Sequence, residues 1–177
     1  MPRAAQLVQT EHGLLPEGDG WFVLNARETG WLHTDELGSA CTFEGDVRSR
    51  AYGVNVHVLQ PGQPNCMYHA EDAQESFLVL AGECLLLIEG EELRLRAWDF
   101  VHCPPWTEHV FVGAGEEPCA ILMIGERRPA VGVRYPARDV ALRHGAGVAE
   151  ETTDPEEAYA RFAAPRPGPY REGDLPG

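Results

Sequence analysis

From Ala51 to Glu126 the chain alternates short apolar runs with turn residues, which is the pattern of an antiparallel sandwich or barrel. In AYGVNVHVLQPG, Tyr52, Val54, Val56 and Val58 alternate with Gly53, Asn55, His57 and Leu59, and this period of two gives one apolar face and one mixed face. Pro61 and Gly62 end the strand. SFLVLAG and CLLLIEGEELRL follow. The second reads as a hairpin turning at Gly90, with Leu93 and Leu95 inward and Arg94 and Arg96 outward on its return strand. DFVHCPP, EHVFVGAG and CAILMIGE predict three more strands, the last one buried. Upstream, GWFVLNAR and ACTFEG predict extra strands at a sheet edge.

The pattern changes after Arg128. DPEEAYARF has a capping Asp154, Pro155 at the first helical position and acids in the first turn, the start of a helix. A second short helix is predicted over Asp139–Arg143, closed by Gly145, and the Pro/Gly-rich end APRPGPYREGDLPG reads as an extended or mobile tail. The chain of 177 residues has the size of one ordinary domain. It divides into N-terminal strands or an arm (1–50), a barrel (51–126) and a C-terminal extension with short helices (127–177).

Charge narrows the partners. Against 28 acidic residues stand 14 basic ones, a formal net charge of −14 that repels phosphate backbones and anionic lipid, so neither nucleic acid nor membrane is expected as a partner. No apolar run approaches the roughly 20 residues of a bilayer span, and the opening residues carry no signal or targeting pattern; a cytoplasmic protein is expected. The five cysteines, Cys41, Cys66, Cys84, Cys103 and Cys119, are odd in number and hold no CxxC pair, so reduced thiols in a β core are expected.

Candidate chemistry gathers in YHAEDAQESFLVLAGE. His69 and Glu71 are two apart and share a face of a strand, a short loop can return Glu75 beside them, and His109 on a later strand can close the group. Two imidazoles with one or two carboxylates suit a divalent Fe, Mn, Ni or Zn ion. The competing reading of the acidic run is a wet loop. Cys66 and Cys103 lie near these residues and thiolates bind zinc or iron, but buried apolar cysteine is the simpler reading. Trp106, Phe77 and Cys66 are candidates for a pocket wall, with barrel core the alternative for Phe77 and Cys66. Trp106 lies in a loop just before His109, where access to a barrel is controlled.

The stretch from Gly62 to Gly82 resembles the first motif of the cupins, and AWDFVHCPPWTEHVFVG resembles the second; together they span Val54 to Gly125. The resemblance implies an all-β, double-stranded β-helix (jelly-roll) barrel holding a metal in its interior, here with N-terminal extra strands and a short helical C-terminal extension. His69 matches the first-motif histidine, Glu75 the motif glutamate and His109 the second-motif histidine. Glu71 stands where the family has its second histidine, Trp98 and Trp106 where it has glycines, and Gly113 where asparagine is usual. Homodimers are a common state of such barrels. The implied function is a metal-dependent enzyme of dioxygenase, isomerase or decarboxylase type acting on a small organic molecule, with Glu71 as fourth ligand or base. The alternatives are a non-catalytic binding or sensing barrel and a barrel serving mainly as an oligomerisation unit.

Overall fold

Each apolar run between Ala51 and Glu126 forms a strand, and the turns fall where the backbone can reverse. The computed structural model describes residues 1, 3–128 and 131–175; Pro176 and Gly177, the end of the predicted tail, lie outside the described residues. The chain opens with a hairpin that the apolar pattern does not announce, β1 (Gln6–Thr10) and β2 (Gly13–Glu17), followed by β3 (Trp31–His33) and β4 (Ser39–Thr42). Then come β5 (Tyr52–Leu59), β6 (Ala70–Glu71), β7 (Glu75–Ala81), β8 (Glu83–Ile88), β9 (Glu91–Arg96), β10 (Phe100–Cys103), β11 (His109–Ala114) and β12 (Cys119–Glu126). The C-terminal segment adds β13 (Val133–Arg134), α1 (Asp139–Arg143), α2 (Pro155–Tyr159) and β14 (Arg166–Gly168).

Two antiparallel layers face each other. One sheet runs β10-β7-β12-β5-β4-β3-β14, the other β11-β8-β9. β13 pairs with β6, and a bridge between His69 and His109 sets that pair beside β11. The β8–β9 hairpin turns through Glu89 and Gly90, both with positive φ (50° and 83°), the two-residue turn whose twist matches the strands.

Apolar side chains fill three layers, which explains the continuous apolar runs. Between the sheets lie Leu59, Phe77, Val79, Leu86, Phe111 and Ile121. On the outer face of the large sheet, Trp31 and Cys41, of β3 and β4 in that same sheet, pack beside Val56, Val58 and Ala120. Outside the small sheet, Val140, Ala141 and Ala146 of the C-terminal segment cover Leu87, Val110 and Val112. Each such valine or leucine, once buried, stabilises the fold by about 1.5–3 kcal/mol.

Several expectations are corrected. GWFVLNAR forms no strand: beyond a single bridge at Trp21 it is irregular, and Val23 is 83% exposed, because it has no neighbouring strand to pair with. Leu93 shares the inward face with Leu95, opposite Leu86, but stays 45% exposed because β9 is a sheet edge; Leu95 packs on the core. On β5 the mixed face looks into the barrel. Its Leu59 joins the interior cluster, and Asn55 and His57 register against the interior residues Met123 and Ile121. On this face the His57 Nδ1 is buried with no hydrogen-bond partner among the described residues, and burial pushes its pKa down to about 4. The tail is partly ordered, as β14 pairs with β3. Both helices form as predicted, with the Asp154 carboxylate accepting from the Glu156 N–H at 2.8 Å and Gly145 at φ 69°.

Candidate metal centre

His69 and His109 meet because their backbones do. The His109 N–H donates to the His69 carbonyl (2.8 Å) and the His69 N–H to the His109 carbonyl (3.2 Å), a pairing that sends both side chains to one face with ring centroids 5.0 Å apart. Each ring is then oriented in the same way. The Nδ1–H of His69 donates to the Met67 carbonyl (2.8 Å) and that of His109 to the Thr107 carbonyl (3.0 Å), each two residues back along the chain. A carbonyl can only accept, so both imidazoles hold their proton on Nδ1 and turn a bare Nε2 lone pair into the site.

Glu75, the first residue of β7, completes the group. One carboxylate oxygen lies 3.3 Å from the His109 Nε2, and ligand atoms of His69, Glu75 and His109 all fall within 4.8 Å of one another. Phe77, the next inward residue of β7, forms the floor, its ring 5.2 Å from His109 and 4.7 Å from Phe111.

Burial sets the protonation. His109 is 3% exposed, and its pKa falls to about 4, from desolvation first and the neighbouring His69 second. Burial also lowers that of His69. Glu75 is pushed up to about 7 by burial and then by the Glu71 carboxylate. Two neutral imidazoles and a carboxylate that is costly to ionise alone describe a cavity short of positive charge. The donor set, with both lone pairs free and both rings held from behind, fits a divalent first-row ion.

The other expected site residues take separate places. Glu71 has a carboxylate oxygen 3.6 Å from the His69 Nε2, at the more exposed rim and outside the three-residue cluster; burial raises its pKa as well. Cys66 stands beside His69, its sulfur 3.6 Å from Nδ1, and burial pushes its thiol up. Cys103 sits in the barrel core. Trp106 does not join the cluster: its N–H donates to the Glu71 carbonyl (2.6 Å), and its ring lies against Gly132, where a Cβ would stand 3.0 Å away.

Three residues around the centre went unread in the sequence. Tyr159 of α2 accepts the Met67 N–H at 3.1 Å, holding the residue whose carbonyl orients His69. Tyr135, just past β13, packs its ring 6.2 Å from that of His69. Glu108, next to His109, is buried and held by Arg138 (2.7 and 2.8 Å) and Arg134 (3.0 Å), with the Tyr68 hydroxyl at 3.4 Å. A charged residue opening an otherwise apolar strand was the one available signal, for Glu108.

Residues 55–125 match the model of the cupin domain family. A search of the curated proteins finds no match. Among solved structures, the chain is similar to a protein named as a sugar phosphate isomerase from Acidithiobacillus ferrooxidans, at 29% identity over 49% of this chain and 57% of that one, with a TM-score of 0.48. It is similar also to a sugar phosphate isomerase of the cupin superfamily from Silicibacter pomeroyi (24% identity, 54% and 62%, TM-score 0.49). A third is a protein with a double-stranded β-helix domain from Klebsiella pneumoniae (21% identity, 50% and 78%, TM-score 0.45). The chain spans less than two thirds of the first two proteins. The barrel, residues 55–125, whose two antiparallel sheets enclose the paired histidines, is the part of the chain that matches the cupin domain family.

Proposed function

We propose that the chain is a metal-dependent enzyme acting on a small organic substrate, with His69, Glu75 and His109 as the ligands of a divalent ion. The observation that carries this reading is the pair of Nε2 lone pairs, each fixed by an Nδ1–H bond to a backbone carbonyl, converging on one carboxylate. A two-histidine, one-carboxylate set that leaves coordination positions open suits Fe(II) best, with Mn(II), Ni(II) and Zn(II) as competitors. Such an ion, when bound, polarises a coordinated oxygen or activates water or dioxygen. The protein's own groups would orient the ligands, exclude water through Phe77 and Phe111, and move a proton through Glu71, which stands beside the ligands rather than among them.

The test is elemental analysis of protein purified without chelator. Wild type is expected to carry one metal per chain, His69→Ala to lose it, and Glu71→Gln to retain it. A wild type that carries no metal and takes up none on titration would leave a non-catalytic binding barrel as the better reading.

A further inference from the structure

The site wall continues one residue beyond the two histidines. Val133 registers against Glu71 and Arg134 against Ala70, so one further step along β13 sets Tyr135 against His69, whose other neighbour is His109. Residues directly opposite across strands share a face, and the rings bear this out: Tyr135 and His69 centroids are 6.2 Å apart, tilted by 39°. Tyr135 is 6% exposed, and its hydroxyl, which has no hydrogen-bond partner among the described residues, is not one of their sealed unpaired polar atoms and so keeps access to solvent or a ligand. Tyr159, packed edge-on against it at 5.9 Å, has its own oxygen engaged by the Met67 N–H.

We propose that the hydroxyl of Tyr135 contacts the substrate, donating a hydrogen bond to an anionic oxygen of a ligand that binds the metal ion through oxygen. The substrate class is then a small molecule with a carboxylate, enolate or similar oxyanion. The rest of the wall is made of imidazole lone pairs, the carboxylates of Glu71 and Glu75, and the ring of Phe77, so a bound oxyanion needs a donor that Tyr135 supplies. This rests on the reading of His69, Glu75 and His109 as metal ligands.

The experiment loads wild type and Tyr135→Phe with Co(II) and titrates each with acetohydroxamate, followed by the visible Co(II) bands. Removing a hydroxyl that bonds to nothing in the protein leaves the fold and the Co(II) affinity unchanged. Hydroxamate affinity is expected to fall about tenfold or more in the variant, the loss of one hydrogen bond to a charged acceptor. Equal hydroxamate affinity, no hydroxamate response in Co(II)-loaded wild type, or weakened Co(II) binding by Tyr135→Phe would each overturn the role of Tyr135 alone. Failure of wild type to bind Co(II) would overturn the metal reading with it.

Discussion

Trp98 and Trp106 both hold left-handed backbone, φ 77° and 69°, at the two positions where the cupin pattern has glycine. A side chain crowds the backbone there, at a cost of about 1–2 kcal/mol, and glycine meets no such cost. Trp98 is largely exposed, so it has little packing to set against the strain. Trp98→Gly is therefore expected to raise stability by about 0.5–1 kcal/mol in urea unfolding, after the larger entropy of glycine in the unfolded chain is counted. Trp106 differs, because its backbone also holds Glu71. The three residues of the His–Glu–His cluster were legible because spacing and residue type coincide there: His69, Glu75 and His109 bring lone pairs together from separate segments of the barrel. Tyr135 was not, since a tyrosine after Val133 and Arg134 announces nothing until β13 is seen to pair with β6.

At the scale of elements, the C-terminal segment is latched to the site by Glu108. Its carboxylate receives Arg138 and Arg134, and the Arg138 guanidinium, as the leading cause, holds its pKa below the ordinary 4.5. A carboxylate whose folded pKa is depressed stabilises the fold above its unfolded value, and that contribution is lost as pH falls through the lower folded value. Urea unfolding should therefore show full stability from this group above about pH 4.5 and a decline below it. Glu108→Gln should flatten that decline and cost about 1–2 kcal/mol at neutral pH, because the charge-assisted hydrogen bonds from two half-exposed arginines are weakened. The strands themselves were readable from their apolar runs, but which face of β5 points inward was not. Both faces are buried, one in the cluster that holds Trp31 and Cys41 and the other in the barrel, so alternation carried no direction.

On the scale of the whole molecule, the two outer apolar layers make the flanks part of the fold. The N-terminal strands and the C-terminal helices look like additions in the sequence, yet β3 and β4 extend one sheet, with Trp31 and Cys41 packed beside Val56 and Val58, and the C-terminal segment covers the other. A gene fragment encoding 51–126 alone would leave Val56 and Val58 bare on one side and Leu87, Val110 and Val112 bare on the other. Such a polypeptide is expected to collect in inclusion bodies, while the full chain stays in the supernatant, as fractionation after expression would show. The shared motifs thus mark a heritable core that cannot be transplanted by itself, and any lineage that trims either wrapping must first find another lining for the same two greasy walls.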